Sequence, residues 1–401
     1  MTKTKNHRNL NMNLIEKFHK YVAQTSHEPL GIEIERAEDI YIYDTSGKRY
    51  IDLISGIAVC NMGHSHPAIV QAVQKQVAQY MHVMVYGEVV QSPQVELATL
   101  LCSQLPETLS SVFFVNSGSE AVEGALKLAK RVTGRKEIIH CVNAYHGSTH
   151  GALSVMGCDS YREAFQPLLP DTKAIQFGNI DDLQHITKKT AAFIVETVQG
   201  ENGVRIASAN YWQAVRQRCD ETGTLLILDE IQAGMGRTGT LFAFEHYGIT
   251  PDILLLAKAF GGGLPLGAFI SSPQNMDTLT HNPILGHITT FGGHPVSCAA
   301  ALAHLQLIIE KQLWKRAEPI GQELEALMYR LPEVKEVRRL GLMIAIEFGD
   351  IDTNFRMCKK FIDNGLFVDW FLFCPTAMRI APPLVLTKEG VLEIEKIMIN
   401  D

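Results

Sequence analysis

The sequence contains no apolar run that approaches the length of a membrane span, and its first residues, MTKTKNHRNLNMN, lack the apolar core of a secretory signal. These two absences predict a cytoplasmic protein with no membrane partner. A basic excess is also missing, since 36 lysines and arginines stand against 43 acidic residues and leave a net charge of −7. A protein that binds nucleic acid without regard to sequence needs a basic face, so we expect no nucleic-acid partner.

Paired cysteines and clustered metal ligands are missing as well. The eight cysteines are scattered, none forms a C-x-x-C pair, and several lie in apolar runs. This distribution indicates buried free thiols in a reducing compartment, because disulfide frameworks belong to small secreted domains. The segment GHSHP offers His64 and His66, but no third ligand is spaced nearby. We therefore expect no metal site.

One motif in the sequence is misleading. Residues 224–239, TLLILDEIQAGMGRTG, contain the pattern G-x-G-x-x-G of a dinucleotide-binding turn. In that turn the first glycine follows the strand directly, and an acidic residue ends the next strand. Here five residues separate Leu228 from Gly234, and the next acid, Asp252, comes before an apolar run instead of ending it. The glycines are therefore predicted to form a tight loop, and Asp229 becomes the residue of interest.

Short apolar runs alternate with helical stretches from about residue 111 onward. The runs are SVFFV, EIIHCV, AAFIVE, TLLILD and ILLLA, and segments such as GSEAVEGALKLAKRV separate them. This alternation predicts an α/β fold with a mostly parallel sheet and helices on both faces. We expect a large α/β domain over residues 61–294 and a smaller α+β domain from residues 1–60 and 295–401. The smaller domain is predicted to contain a hairpin around Ser46 and Gly47 and one long helical pattern after Pro295.

Ligands of open α/β sheets bind at the carboxyl ends of the strands, so the polar residues after the apolar runs are the ones to compare. After SVFFV come Ser117, Gly118 and Ser119 at the start of a helix. Small residues there leave backbone N–H groups and hydroxyls facing outward, which is typical of a phosphate site. The alternative is an ordinary helix cap, since Ser117 and Glu120 have the spacing of a capping box.

Three further strand ends carry reactive or flat side chains. Asp229 would be a buried carboxylate that needs a cationic partner, or else a helix cap or a structural ion pair. Lys258 would become a nucleophile if desolvated, whereas most single lysines lie at the surface. Tyr145, which precedes His146, would present its ring to a flat ligand or pack into the core. Together these groups fit a ligand with a phosphate, an aromatic ring, a basic ring nitrogen and an aldehyde, as in pyridoxal 5′-phosphate.

Seven motifs extend this interpretation. The chain contains FFVNSGSEAVEGALKLA, AYHGSTHGALS, VETVQGENG, LLILDEIQAGMGRTG, LLLAKAFGGGLPLGA, TTFGGHPVSCAAAL and MRIAPPL. On these motifs the chain resembles the class III aminotransferases of pyridoxal-phosphate fold type I, the group of the acetylornithine, ornithine and 4-aminobutyrate enzymes. The resemblance covers nearly the whole chain, and GMGRTG is part of the family's signature. It implies a pyridoxal-phosphate-dependent aminotransferase of amino-acid metabolism that is active as a homodimer with shared sites.

The resemblance also implies roles for residues at matching positions. Lys258 would be the Schiff-base lysine that later moves a proton, Asp229 would pair with the ring nitrogen, and Glu196 would be a third catalytic residue near the ring. Further cofactor contacts are implied for a set of loop and helix-start residues. They are Ser117, Gly118, Ser119, Tyr145, His146, Ile231, Gln232 and, from the neighbouring subunit, Thr290.

Two residues at matching positions concern the amino acceptor. Arg379 matches the arginine that holds the α-carboxylate of glutamate or 2-oxoglutarate, through bidentate guanidinium–carboxylate bonds. Glu201 matches the glutamate that pairs with this arginine when a terminal amine is bound. The resemblance therefore implies ping-pong transamination with 2-oxoglutarate as acceptor.

The amine donor is left open by the sequence. Acetylornithine and ornithine enzymes carry an arginine where this chain has Ser148, and ornithine enzymes carry a tyrosine in the stretch where it has Ile57. The donor is therefore expected to be an ω-amino acid or a related amine, with Ile57 and Tyr86 as pocket residues, although Tyr86 fits the core equally well. Acetylornithine or ornithine is the main alternative donor, and an aminomutase or decarboxylase is the alternative enzyme.

Overall fold

The computed structural model of the protein describes residues 12–85 and 87–399. Tyr86, one of the predicted substrate residues, lies outside the described residues. Within the described ranges, no helix is both long and apolar enough to cross a bilayer.

Strands and helices alternate through the middle of the chain, and further strands lie near both ends. The strands are β1 (Ile34–Glu38), β2 (Tyr41–Asp44), β3 (Arg49–Asp52), β4 (Ser111–Val115), β5 (Glu137–Cys141), β6 (Thr172–Ile175), β7 (Thr190–Glu196), β8 (Leu225–Asp229), β9 (Ile253–Leu256), β10 (Gly267–Ser271), β11 (Glu336–Leu340), β12 (Met343–Glu347), β13 (Leu366–Phe367), β14 (Asp369–Trp370) and β15 (Ala377–Ile380). The α-helices are α1 (Leu14–Tyr21), α2 (Ser55–Ala58), α3 (Pro67–Gln79), α4 (Ser92–Cys102), α5 (Gly118–Thr133), α6 (His150–Ser154), α7 (Ala209–Thr222), α8 (Pro273–Asp277), α9 (Pro295–Lys311), α10 (Trp314–Met328), α11 (Ile351–Asp363) and α12 (Lys388–Ile399).

The central sheet has seven strands in the order β4-β10-β9-β8-β7-β5-β6. Strands β6, β5, β7, β8 and β9 run parallel to their neighbours in this set, whereas β10 is antiparallel to both β4 and β9. The predicted α/β fold with a mostly parallel sheet is confirmed. Strands β6 and β10 are absent from the predicted set, because TKAI is a short, half-exposed edge strand and GAFIS follows a glycine-rich loop.

Both faces of the central sheet are covered, as strand β7 shows. Every residue of β7 is buried. Ala192 and Ile194 pack in the apolar cluster that includes α5, whereas Phe193 and Val195 pack in the larger cluster on the opposite face, which includes Trp212 of α7. Helices on both faces explain why the parallel strands are continuous apolar runs in the sequence instead of alternating patterns.

Two smaller sheets are formed from segments near the two ends of the chain. One has the order β1-β2-β3-β13, and the other has the order β11-β12-β15-β14. The hairpin around Ser46 and Gly47 is present between β2 and β3, with Gly47 at φ 85° in its turn. Strand β13 adds parallel to β3, so the two chain ends share a sheet, while the division at residues 60 and 295 stays a prediction.

The long helical pattern after Pro295 was expected to be one unit, and the structure divides it into two helices. Gln312 lies between α9 and α10 with φ at 46°, and this left-handed residue ends α9. Helix α9 packs along α3 and α4. The break is not marked by glycine or proline, which explains why the periodicity alone does not reveal it.

The GHSHP segment forms a turn between the smaller N-terminal sheet and α3. His64 Nε2 lies 2.7 Å from the buried Asp52 Oδ2, and this hydrogen bond raises the pKa of His64 to about 10. His66 precedes α3, and its Nδ1 accepts a hydrogen bond from the N–H of Ala68 at 3.3 Å. Both histidines therefore have partners within the fold.

The GMGRTG segment is a tight loop after β8, as predicted. Met235, Gly236 and Gly239 have φ values of 57°, 90° and 105°, so the backbone turns repeatedly through the left-handed region. The loop buries Arg237 completely. The Arg237 guanidinium donates to Asn61 Oδ1 and to the carbonyls of Leu342 and Pro382. Arg237 thus links the loop after β8 to three segments outside the central sheet, and all three acceptor oxygens are uncharged.

We predict that Arg237→Met destabilises the protein by about 3 kcal/mol or more, because three buried acceptors lose their donor together. The free energy of unfolding, measured by urea denaturation, checks this expectation. Arg36→Met is the matched control, because Arg36 is an exposed residue whose ion pair with Glu38 lies at the surface. Equal unfolding midpoints for the two variants would contradict the prediction.

Candidate active site

A cavity of about 460 Å³ opens at the carboxyl edge of the central sheet. The adjacent ends of β7 and β8 place Glu196 and Asp229 directly opposite each other, and Lys258 follows β9 after one residue. Most of the predicted site residues line this cavity: Ser117, Gly118, Ser119, Tyr145, His146, Glu196, Glu201, Asp229, Ile231, Gln232 and Lys258. The cavity forms at this edge because parallel strands end there together, and their following loops diverge.

The N-terminus of α5 forms one wall of the cavity. Ser117 caps the helix by accepting the N–H of Glu120 at 3.2 Å, while the Glu120 carboxylate accepts the N–H of Asn116. The capping box is therefore only half formed, and Gly118 and Ser119 lie in the first turn facing the cavity. The positive end of a helix dipole and small side chains suit a phosphate group.

Two glycines keep this wall open. A Cβ atom at Gly118 would lie 2.9 Å from Ile231 Cδ1, and a Cβ atom at Gly147 would lie 2.1 Å from Ser119 Oγ. Gly147 also has φ at 123°, where side chains are strained. Larger residues at these positions would displace the two side chains, Ile231 and Ser119, for which cofactor contacts are predicted.

Asp229 is a buried carboxylate with two fixed hydrogen bonds. Its Oδ2 lies 2.7 Å from His146 Nδ1, and its Oδ1 accepts the N–H of Ile231 at 3.0 Å. The side chain of His146 is fully buried, and its Nε2 has no hydrogen-bond partner among the described residues. The histidine holds the carboxylate in one orientation and leaves its charge available to a cation in the cavity.

Lys258 lies in a strained turn at the base of the cavity. Its φ is 47°, in the left-handed region that non-glycine residues rarely adopt. Burial lowers the pKa of the Lys258 ammonium, while Glu201 and Asp229 oppose that shift. An amine with a lowered pKa has a larger neutral fraction, which is the form that attacks a carbonyl carbon and accepts a proton.

Glu196 holds two loops of the cavity wall. Its two carboxylate oxygens accept the N–H groups of Tyr145 and Gly200, both at 2.9 Å. Burial, assisted by the charge of Asp229, raises the pKa of Glu196 to about 7, and the neighbouring His146 opposes that shift. The hydrogen bond to Tyr145 fixes the loop that carries the aromatic ring predicted to stack on the cofactor.

Arg379 lies on β15 and pairs with Glu201 at the edge of the cavity. Arg379 Nη2 lies 2.6 Å from Glu201 Oε2, and both side chains are almost fully buried. The charge of Glu201 raises the pKa of Arg379, and that of Arg379 lowers the pKa of Glu201, each against the effect of burial. Arg379 Nη1 has no hydrogen-bond partner among the described residues. The guanidinium therefore has donor capacity to spare for an anionic ligand.

Three of the predicted residues that the structure describes lie outside the cavity lining. Ile57 is 37% exposed, and the neighbouring Val59 lines the cavity in its place. Thr290 is exposed on the loop before α9. Arg379 is not among the lining residues, but it donates a hydrogen bond to Glu201, which is. Ser148, which stands at the subfamily arginine position, is exposed beside Gly147, with its Oγ 3.4 Å from the Tyr145 hydroxyl.

Sequence reasoning missed Asp369 and the residues that follow it. Asp369 lies on β14, directly opposite Arg379 of the neighbouring strand β15. Its Oδ1 lies 3.3 Å from Arg379 Nε. A single acidic residue in the apolar and aromatic run LFVDWFLF was the available signal. An acid within such a run is seldom removed from water without a cationic partner.

Comparisons with known proteins identify the family of the chain. The family model described as Aminotransferase class-III matches residues 21–400. An acetylornithine aminotransferase of Methanocaldococcus jannaschii is 40% identical over 90% of this chain and 91% of its own. The crystal structure of an ornithine aminotransferase from Toxoplasma gondii superposes with a TM-score of 0.89 at 29% identity, covering 98% of this chain and 95% of that one. An acetylornithine aminotransferase structure from Elizabethkingia anophelis gives a TM-score of 0.83 at 33% identity, with 96% of each chain covered.

Proposed function

Since the chain belongs to the class III aminotransferases and is a pyridoxal-phosphate-dependent enzyme, we propose that it moves an amino group from a primary amine to 2-oxoglutarate in two ping-pong half-reactions. The observation that carries the proposal is the shared cavity. Lys258 and Asp229 line it together with the N-terminus of α5, and the Arg379–Glu201 pair lies at its edge. This transfer requires an amine, a carboxylate and a phosphate site for the cofactor, and in addition a site that binds the carboxylate of the keto acid.

The residues present fit the cofactor. Pyridoxal phosphate, when bound, supplies an electron-withdrawing ring that stabilises the charge left on the amine carbon after deprotonation. Gly118 and Ser119 would bind its phosphate, and Asp229 would keep a proton on the ring nitrogen with the help of His146. Tyr145 and Ile231 would flank the ring. Lys258 would bind the aldehyde carbon of the cofactor. It would then carry the proton between the amine carbon of the substrate and that aldehyde carbon.

Arg379 and Glu201 would let one site accept two kinds of substrate. A keto acid carboxylate would displace Glu201 and pair with the guanidinium, which already has an unpartnered Nη1. With a donor that presents a terminal amine and no carboxylate beside the reacting carbon, Glu201 would stay on Arg379 and prevent an uncompensated buried charge. This exchange favours transamination over the alternative aminomutase or decarboxylase reaction, which needs no second substrate of different charge.

The donor that we propose is an ω-amino acid or a related amine. Among the described residues that line the cavity, only Lys258 and His146 have basic side chains, and Ser148 is neutral. An α-carboxylate of the donor would find no guanidinium on the described lining, and the nearby Arg379 is paired with Glu201. Acetylornithine or ornithine is the second candidate, because the relatives that are about 40% identical carry the name acetylornithine aminotransferase.

We also propose a homodimer in the cytoplasm. Thr290 is exposed on a loop that carries further exposed apolar side chains, among them Ile284 at 75% and Phe291 at 53%. Apolar surface of this kind is typical of a face covered by another protein. In the dimer, Thr290 of the partner subunit would complete the phosphate site.

A panel of amines tests the donor and the acceptor together. The purified holoenzyme is incubated with 2-oxoglutarate and, separately, with ω-amino acids, diamines, acetylornithine and ornithine, and the release of glutamate is measured. We expect glutamate from at least one ω-amino acid or diamine, at a higher kcat/KM than from acetylornithine. Higher kcat/KM for acetylornithine would establish the second candidate, and no glutamate from any amine would refute the proposed reaction.

We predict that Arg379→Ala raises the KM for 2-oxoglutarate by about tenfold to a hundredfold, because a charge-assisted bidentate contact is lost. Steady-state kinetics at varied 2-oxoglutarate and saturating donor give the KM. Arg356→Ala, on the exposed face of α11, is the control, since its side chain is 58% exposed. An unchanged KM in Arg379→Ala would show that the keto acid binds elsewhere.

A further inference from the structure

Five consecutive residues, 369–373, surround the ion pair between Arg379 and Glu201. Each of them makes a different contact with the pair. Three of the contacts are with Arg379: Asp369 Oδ1 lies 3.3 Å from its Nε, the Trp370 carbonyl accepts a hydrogen bond from its Nη2 at 3.2 Å, and the Phe371 ring centre lies 4.7 Å from the guanidinium carbon. The other two are with Glu201. The Leu372 N–H donates to its Oε2 at 3.1 Å, and the Phe373 N–H donates to its backbone carbonyl at 3.0 Å. This segment therefore determines where both charges lie.

Asp369 is the unusual member of the segment, because it adds a second carboxylate to one guanidinium. Asp369 and Arg379 are direct partners across β14 and β15. Asp369 Oδ1 and Arg379 Nε are both buried, and neither has a hydrogen-bond partner among the described residues. Burial raises the pKa of Asp369 to about 6, although the nearby Arg379 opposes that shift. The Asp369 side chain is only 22% exposed, and a carboxylate so far removed from water is costly unless a cation pairs with it.

We propose that Asp369 is a positioning residue that takes the Nε–H of Arg379 when Glu201 moves away. A small rotation of the guanidinium brings two unpartnered atoms, 3.3 Å apart, into hydrogen-bond geometry. The bond at Nε then fixes the plane of the guanidinium, and Nη1 and Nη2 together face the incoming carboxylate. This inference rests on the proposed role of Arg379 in binding the keto acid.

The direct consequence concerns binding of a dicarboxylate and not the later chemical steps. Without Asp369 the guanidinium would keep its contacts with the Trp370 carbonyl and the Phe371 ring after Glu201 leaves, but no bond at Nε would fix its plane. A bidentate contact would then need the guanidinium to be ordered again. Affinity for the keto acid should therefore fall, whereas the limiting rate of the half-reaction should not. A purely structural role would lower both quantities or reduce the amount of folded enzyme.

A double-mutant cycle tests the proposal. Asp369→Asn keeps the shape of the side chain, Asp369→Ala removes it, and each is made with and without Arg379→Ala. Two measurements are made on each holoenzyme. The first is the dissociation constant of glutarate, an unreactive dicarboxylate, by calorimetry. The second is the single-turnover rate with varied 2-oxoglutarate, after the enzyme has been loaded with pyridoxamine phosphate.

In the Arg379 background, we expect Asp369→Ala to weaken glutarate and 2-oxoglutarate about tenfold, with the limiting rate within about twofold of the wild-type value. Asp369→Asn should weaken them less, since its amide oxygen still accepts the Nε–H. In the Arg379→Ala background neither change should have a further effect. Asp363→Asn, at an exposed aspartate of α11, should match the wild type.

Two results would overturn the inference: unchanged dicarboxylate affinity in both Asp369 variants, or the same weakening with Arg379 already removed. If Asp369→Ala does not fold, the isosteric Asp369→Asn decides the question alone. Wild-type enzyme that produces no glutamate from 2-oxoglutarate would instead refute the proposed function, and the glutarate cycle would still decide whether Asp369 acts through Arg379.

Discussion

Replacement of Lys258 by alanine is expected to lower the rate of transamination by at least about a thousandfold, because one side chain supplies both the nucleophile and the proton carrier. The same variant should lose the covalent attachment of the cofactor. Borohydride reduction of the holoenzyme, followed by mass spectrometry of the peptide that contains residue 258, measures the attachment directly. The structure supports the choice of this lysine through its lowered pKa and its place on the cavity lining together with Glu201 and Asp229.

Lys359→Ala is the matched control for this experiment. Lys359 is 76% exposed on α11, where it pairs with Asp363, and its removal should change neither the rate nor the trapping. Because the lysine and the alanine that replaces it have the same backbone restrictions in the left-handed turn, a change in folding is not the expected cause of the loss. Cofactor that is still trapped by borohydride in the Lys258→Ala enzyme would assign the covalent bond to another residue.

Asp229→Asn is expected to reduce kcat by about a hundredfold to a thousandfold, because the charge that would hold the ring proton is removed while the shape is kept. The bond to His146 would weaken at the same time, since a neutral amide is a poorer acceptor than a carboxylate. The substitution does not change the N-terminus of α5, which is the proposed phosphate site. The bound cofactor, measured by absorbance after gel filtration, should therefore stay near one per chain. The expected signature is therefore a loss of rate without a loss of cofactor.

The control for the aspartate is Asp220→Asn, whose side chain is 66% exposed on α7. If Asp229→Asn retained more than about a tenth of the wild-type kcat, preorganised charge at this position would not be a main contribution to the rate. A variant that lost the cofactor altogether would instead assign Asp229 a role in binding, and comparison with His146→Asn would then show whether the histidine shares that role.

The strands of the central sheet and the residues that follow them were largely predictable from the sequence. Parallel strands buried on both faces are short apolar runs, and the chemistry of an α/β sheet lies where those runs end. For this reason Asp229, Lys258 and the 117–119 segment could be selected without a structure, and the resemblance to the family added Glu201 and Arg379. The roles of these residues stay predictions, although the structure brings nearly all of them to one cavity.

Other features depended on contacts that no local pattern records. The end of α9 at Gln312 carries neither glycine nor proline, and the edge strand β6 is too short and exposed for a periodic signal. Asp369 and Arg379 are ten positions apart in the chain, and only the pairing of β14 with β15 places them face to face. The complete burial of Arg237 likewise results from segments near both chain ends closing over a loop of the central sheet.

The amino-acid order of this protein thus determined by itself the α/β architecture, the loop at GMGRTG and the chemical groups at the strand ends, because periodicity and side-chain chemistry are local properties. The tertiary structure alone decided several of the contacts between these groups: His146 with Asp229, Glu196 with two backbone amides, and Asp369 as a second carboxylate beside Arg379. Most of those pairings join residues that are far apart in the chain, and the reason is physical. Burial of a charge becomes tolerable only where packing supplies its partner.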